Sequence, residues 1–488
     1  MKYFKITLLF LSFIIFFTIP EATQAKTITV CASGCSYSTI SQAEAAAVTG
    51  DILSVKNGTY AGFTVTKQIT VEAETYDRVN PKNNATHINS QIYIQGGSWA
   101  FDKGPVIRGF HVSGLDPVRG KQTPYTLEYS FIEATGQGSD GVSFESAGGV
   151  IRGNHVEPGG DDCIDVDSQT TDILIENNYL KNCNQDGVEV RQQPNSISQR
   201  VTLIMINNRI EATGQDGLQI MDYNNFSNRR YILERNLFLG VGTKASGAGI
   251  GIMAADVTTE NFSAAPMPEP LYAVNNTFVN GDAGISGGAN LVAINNIFSG
   301  NTVFDLKNVS GKSKIMHSLF AAAPKMQGSN NLDNATTKTG NPLFGANYDL
   351  QSGSPAIDSG LARYQHTYSY DGSMGGSAQT YTENAIDLAA IQYKGSAPDL
   401  GWQESGGNPP PGASPTLSPT PVRPTLTGPT GSSKPGDANG DNLVDGTDYS
   451  IWHSKYNQSA LGAANGDFDG SGFVDGPDYV IWLNNYNK

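Results

Sequence analysis

One short pattern returns along most of this chain, and it limits the possible folds more than any other feature. It runs aliphatic, any residue, Asn or a small residue, usually Asn, any residue, then an aliphatic or aromatic residue. It reads IRGFHV at 107, LEYSFI at 127, IRGNHV at 151, IENNYL at 175, INNRI at 206, LERNLF at 233, VNNTF at 274, INNIF at 294 and MHSLF at 316. The second Asn-like position then falls at 110, 130, 154, 178, 208, 236, 276, 296 and 318. The shortest spacings cluster at 20 to 24, and the longer ones fit a loop inserted into one turn. Such a segment is too short for a comfortable helical hairpin but holds three short strands and three turns. Asn and Gly at fixed offsets supply left-handed turn conformations. Stacked in parallel, such coils bury their inward aliphatics in one continuous core. The expected fold class is therefore all-β, a right-handed parallel β-helix over residues 26–403.

The flanks and composition set the context. Lys2 and Lys5 precede the apolar run Ile6 to Ile19 and then Ala22-Thr23-Gln24-Ala25. This reads as a signal peptide over 1–25, with the mature chain beginning near Lys26 and exported. No later run approaches the roughly 18 apolar residues of a membrane span. The net charge of −15 argues against nucleic acid or an anionic membrane surface as partner. Four cysteines in an exported chain can form two disulfides. Cys31 and Cys35 can close a small loop, while Cys163 and Cys183 lie about one coil apart. Residues 404–435 carry nine prolines among Thr, Ser and Gly without hydrophobic periodicity, which makes them an extended Pro/Thr/Ser-rich linker.

The segment Ser36 to Tyr60 carries a short amphipathic helix, a strand and an Asn-Gly turn. It resembles the N-terminal cap and first coil of pectate-lyase-like β-helix proteins. Asn341 to Gly360, together with APDLGW at 397, resembles the closing segment of many secreted β-helix proteins. These resemblances cover most of residues 26–403 and imply fold more strongly than chemistry.

A second register runs beside the first: SDGVSFE at 139, DDCIDVD at 161, QDGVEVR at 185 and QDGLQIM at 215. Aligned on the Asp before Gly or Cys, the inward positions are apolar. The outward ones are Ser143/Glu145, Asp165/Asp167, Glu189/Arg191 and Gln219/Met221. Coils stacked about 4.8 Å apart would put Asp165 beside Glu189 and Asp167 beside Arg191. The leading Asp140, Asp162, Asp186 and Asp216 have an ordinary turn explanation. Asp165, Asp167 and Glu189 do not, because Asp is disfavoured in mid-strand and like charges on neighbouring strands repel.

The register also resembles the polygalacturonase family of glycoside hydrolases. Asp140 matches that family's first element, and Gly160-Asp161-Asp162-Cys163 matches its second in full. Gln185-Asp186-Gly187 lacks its histidine, and Gln219-Ile220-Met221 lacks its cations. The resemblance thus implies a related fold with an incomplete residue set. Carboxylates beside an Arg on a β-helix groove are similar to the site of calcium-assisted uronate lyases. There Ca²⁺ takes hard oxygen ligands, neutralises a substrate uronate and acidifies its C5 proton. The candidate catalytic residues are Asp161, Asp162, Asp165, Asp167, Asp186, Glu189 and Arg191. Arg191 would clamp a carboxylate, and Lys181 is a weaker candidate base. Inverting hydrolysis by Asp140 and Asp186, two coils apart, is the competing chemistry. A non-catalytic glycan-binding or surface-structural β-helix is the reading from a different class.

Beyond the linker, residues 436–488 hold DANGDNLVDGTD and DFDGSGFVDGPD, 30 residues apart. Each places oxygen side chains at loop positions 1, 3, 5, 9 and 12 and is followed by an aromatic helical stretch, which is calcium-loop spacing. The side-chain ligands would be Asp437, Asn439, Asp441, Asp445 and Asp448, with the Leu443 carbonyl. In the second loop they would be Asp467, Asp469, Ser471, Asp475 and Asp478, with the Phe473 carbonyl. Two such loops, each with only a following helix, resemble a dockerin domain. The resemblance implies Ca²⁺ as cofactor and a cohesin-type scaffold module as partner. The expected protein is a secreted or cell-surface-attached carbohydrate-active one, with an acidic polysaccharide as substrate.

Overall fold

The computed structural model describes residues 25–405 and 434–485, apart from 137, 193–199, 222–227, 244–248, 256–266, 268, 289, 310–311, 329, 371–378, 388–392, 394, 441–442, 445, 456–457, 460–461, 469–472 and 475. The expected signal peptide and most of the expected linker lie outside the described residues. Within them the chain is a right-handed parallel β-helix. Each coil contributes one strand to sheet A, one to sheet B and one to sheet C, in that order. Among the described residues the sheets hold 12, 12 and 11 strands respectively, each in sequential order. The coil with Gly149–Arg152 in sheet A continues through His155–Gly159 in sheet B to Ile164–Asp167 in sheet C.

The recurring Asn explains why the coils stack in register. Asn154, Asn178, Asn208, Asn236, Asn276 and Asn296 fill the turn between sheets A and B, all buried. Each side chain does two jobs. Asn208 Oδ1 accepts the Asn178 backbone N–H at 3.0 Å, and its Nδ2 donates to the Ile175 carbonyl at 2.8 Å. Asn178 and Asn236 repeat this with Asn154 and Asn208. A buried turn is thereby satisfied without water. The preceding position needs a left-handed backbone, with φ of 55° at Asn177 and Asn207 and 56° at Asn275. Asn tolerates this better than other side-chain-bearing residues.

Inward positions build the core. Phe238, Phe278, Phe298 and Phe320 stack along the axis with centroids 5.1, 4.9 and 4.7 Å apart. Helix α1 (Ile40–Ala46) caps the first coil, with the Thr39 hydroxyl accepting the Gln42 N–H at its start. At the other end an antiparallel hairpin, Arg363–Tyr370 with Gln379–Asp387, lies over the outer face of sheet A. Leu350, Ala356 and Leu400 cover Ile297 and Leu319 on sheet B. The expected closing segment therefore shields sides of the solenoid as well as its end. Both candidate disulfides are formed, Cys31–Cys35 and Cys163–Cys183, with Cα atoms 5.6 and 5.3 Å apart.

The C-terminal module contains helices α2 (Gly446–Lys455) and α3 (Gly476–Asn485) and a two-strand bridge, Gln458–Ser459 with Phe473–Val474. No helix among the described residues is long and apolar enough to cross a membrane.

Candidate functional site

The expected register of sheet C is the one found. Asp165 pairs with Glu189 and Asp167 with Arg191, while Ser143 and Glu145 flank them on the preceding strand. Over these three coils and the one before them, which carries Asp116 and Arg119, lies a groove of about 290 Å³. Eight carboxylates line it (Asp116, Asp140, Glu145, Asp161, Asp162, Asp165, Asp167 and Glu189), against two guanidinium groups, Arg119 and Arg191. That excess of negative charge cannot be fully ionised without a compensating cation.

The two arginines sit on opposite sides of the carboxylates and are already engaged. Arg191 Nη2 donates to both Glu189 oxygens at 2.7 Å, and its Nη1 lies 3.8 Å from Asp167 Oδ1. Arg119 contacts Glu145, and its Nη1 is 3.4 Å from Asp116 Oδ2. Despite desolvation, the surrounding carboxylates hold both guanidinium groups above their ordinary range. They stay charged, so they can clamp an anion but cannot act as bases.

Asp165 projects outward from the sheet yet is only 7% exposed, because its neighbours crowd over it. Its Oδ1 is buried without a hydrogen-bond partner. Burial first, then the charges of Asp167, Asp140 and Glu189, push its carboxyl well above the usual range. Asp162 is raised in the same way by burial and by Asp186 and Glu189. Asp167 is raised mainly by burial, against the pull of Arg191. Asp140, on the groove wall, is pushed up to about 6 by burial and by Asp116, Asp161 and Glu189, against a hydrogen bond from the Asp162 backbone.

The leading Asp residues form a ladder in the turn between sheets B and C. Asp140 Oδ1 accepts the Asp162 N–H at 3.3 Å. Asp162, Asp186 and Asp216 accept the N–H groups of Asp186, Asp216 and Ile250, each at 2.7 Å. Turn chemistry thus accounts for the row, and Asp140 and Asp162 also reach the groove. Asp186 does not. It is 1% exposed, and its second oxygen accepts from Gln219 Nε2 at 3.0 Å. Its place is under the groove floor, away from the acid–base pair drawn with Asp140. Lys181 is likewise elsewhere, on sheet B with its Nζ 3.5 Å from Glu211. Asp161 sits on the rim, bonded to Gln185.

Sequence reasoning missed Asp116 and Arg119. Asp116 lies in the turn before its strand, and the register of sheet C puts Arg119 beside Ser143. Counting one repeat back from Ser143 would have found Arg119; its coil lacks the Asp-Gly signal that marked the others.

The hard oxygen donors here suit Ca²⁺ rather than a soft metal, and the partnerless Asp165 oxygen suits a cation. Among the described residues, no three acidic or histidine side chains stand in a ligating arrangement. In the C-terminal loops, Asp437, Asp448, Asp467 and Asp478 are all buried. Asp448 Oδ1 accepts the N–H groups of Ala438 and Asn439 at 2.7 and 3.0 Å, and Asp478 Oδ1 accepts that of Phe468. The position-12 residues therefore fold each loop back on its first residues. Asn439 and Leu443 lie in the first loop and Phe473 in the bridge strand. Asp441, Asp445, Asp469, Ser471 and Asp475 lie outside the described residues.

Residues 25–238 match the family model described as the right handed beta helix region. Comparison with curated protein sequences returns no match. Among solved structures, pectate lyase Pel9A is similar at 14% identity and a TM-score of 0.47, over 78% of this chain and 96% of that one. A mannuronic acid specific polysaccharide family 6 lyase from human gut microbiota is similar at 14% identity and a TM-score of 0.38, over 64% and 83%. A rhamnogalacturonan lyase is similar at 14% identity and a TM-score of 0.34, over 64% and 87%.

Proposed function

We propose that this chain is an exported enzyme that cleaves an acidic, uronate-containing polysaccharide by β-elimination. Its C-terminal module is a calcium-binding unit of dockerin type that tethers it to a cohesin-type scaffold or a surface. The charged start and apolar run of residues 1–25 and the two disulfides support export. The observation that carries the enzyme reading is the state of Asp165. It is a buried carboxyl with a partnerless oxygen, set among like charges at the base of a groove. A solvated polar face would leave such groups exposed, whereas perturbed carboxyls gathered in a cleft are what acid–base or cation chemistry needs.

Each side chain then has a role. Arg119 and Arg191 bind and orient the carboxylates of the polymer. Asp140, ionised above about pH 6, takes the C5 proton. The C5–H electrons form the C4–C5 double bond, the C4–O bond breaks, and the departing oxygen takes a proton from water. Asp165, whose Oδ1 has no partner, would help hold a Ca²⁺ together with the substrate's own carboxylate, and the ion when bound would supply charge neutralisation at the uronate and acidify its C5 proton. A groove so rich in carboxylates would otherwise repel an anionic polymer.

The test is to incubate the full-length protein with pectate, alginate and neutral glucan, with calcium or chelator, and to follow the ultraviolet absorbance of unsaturated uronate ends. Calcium-dependent product from a uronate polymer alone is expected. Reducing ends without unsaturation would assign hydrolysis instead, and binding without any product would assign the non-catalytic class.

A further inference from the structure

Strands of a solenoid face solvent on one side, so their outward positions should be polar. Three adjacent strands of sheet A break that rule. GVIR at 149, ILIE at 173 and VTLIMI at 201 carry an apolar row on the outward face at Val150, Leu174 and Ile204, beside the outward Arg152 and Glu176, and such a row is expected where a strand is covered on both sides. Their inward residues Ile151, Ile175 and Met205 belong to the main core. Their outward residues Val150, Leu174 and Ile204 are each 0% exposed.

What covers them is the C-terminal module. Val150, Leu174 and Ile204 form one apolar cluster with Tyr449, Trp452, Tyr479 and Trp482, and helix α3 lies against the strand Ile173–Glu176. Residues 436–488 carry eight acidic and two basic groups. Glu234, Arg230 and Arg235 of the neighbouring coil lie within electrostatic reach of Tyr479, so the contact is carried by its apolar packing.

The module's own layout links this contact to its loops. Asp448 and Asp478 close the loops, and each is followed directly by the Tyr, and four residues on by the Trp, of the seated cluster. The rings pack on one another, with Tyr449 and Trp482 centroids 4.8 Å apart and those of Trp452 and Tyr479 5.1 Å apart. An ion that orders a loop therefore orders the start of the helix whose aromatics fill the cluster.

We infer that the outward apolar stripe Val150–Leu174–Ile204 is an intramolecular seat for the C-terminal module, and that seating is coupled to calcium uptake by its two loops. The coupling rests on the calcium reading proposed above; the seat itself does not. Linkage makes the effect reciprocal: the factor by which calcium favours seating is the factor by which seating tightens calcium.

The experiment compares full-length wild type with Leu174→Asp. That variant places a carboxylate against an acidic module and leaves the β-helix core untouched. Both chains carry Asp165→Asn, so that uptake in the groove is suppressed. Calcium titration is followed by tryptophan fluorescence, and small-angle scattering is recorded in saturating calcium. The expected result is calcium affinity weakened at least fivefold and a larger radius of gyration in Leu174→Asp, with unchanged melting of the β-helix in chelator. Should that variant not retain the β-helix, Val150→Asp carries the same expectation. Equal calcium affinities overturn the coupling alone, and equal radii overturn the seat. Absence of calcium uptake in both chains overturns the coupling together with the calcium reading, while leaving the enzyme reading of the groove standing.

Discussion

Asp216 offers a measurable consequence of the turn ladder. It is fully buried, and its Oδ1 accepts the Ile250 N–H at 2.7 Å. Its Oδ2 and the Oε1 of the adjacent Gln219 are both buried without hydrogen-bond partners. Burial raises its carboxyl to about 7, against hydrogen bonds from the Ile250 backbone and the Gln219 side chain. From an ordinary value of 3.8, that shift amounts to about 4 kcal/mol at about 1.4 kcal/mol per unit. Because the folded value is raised, this stability is fully present below about pH 4 and is lost as pH rises to about 7. Asp216→Asn keeps the shape and removes the titration. The assay is urea unfolding of both proteins at several values between pH 4.5 and about 8, followed by the β-sheet signal. Relative to the variant, wild type should lose about 3–4 kcal/mol across that range. Asp140, Asp162 and Asp165 slope the same way in both proteins and cancel in the difference. A wild-type-minus-variant difference that does not change with pH would refute the reasoning.

Other expectations follow from the same geometry. Asn208→Ala should cost about 2–5 kcal/mol at every pH, because it strands the Asn178 N–H and the Ile175 carbonyl in a dry turn; a loss below about 1 kcal/mol in urea unfolding would count against the ladder. Phe278→Ala, which removes a ring from the middle of the stacked row, should cost about 3–5 kcal/mol by the same measurement. Chelation should reduce the helical circular dichroism of the full-length protein while its β-sheet signal persists, because the buried loop carboxylates repel one another without an ion. An unchanged helical signal would remove calcium from the module's fold.

The solenoid was legible because Asn marks six successive coils, at 154, 178, 208, 236, 276 and 296. Asn satisfies a buried turn that few side chains can, so Asn178 and Asn208 betray the repeat even where the intervening loops vary. The register of sheet C follows from the same counting, which puts Asp165 beside Glu189. Burial was not legible. An outward position in a strand reads as exposed, yet Asp165 and Leu174 are covered, one by crowded neighbours and the other by a module more than 250 residues later in the chain. Asp186 misled for a related reason: the Asp-Gly spelling is identical at groove wall and groove floor. Arg119 was missed because its coil carries no such spelling at all.

The central claim is that the sheet C groove is a catalytic site and that Asp165 is part of it. The most direct test is the rate of unsaturated-end formation on the best uronate polymer, with calcium, by wild type, Asp165→Asn and Asp216→Asn. The account predicts that Asp165→Asn lowers turnover by at least about 100-fold, the size expected for losing a reacting-site charge, while the β-helix melts as before. Asp216→Asn should keep near-normal turnover. Normal turnover by Asp165→Asn, with or without loss in Asp216→Asn, would contradict the claim.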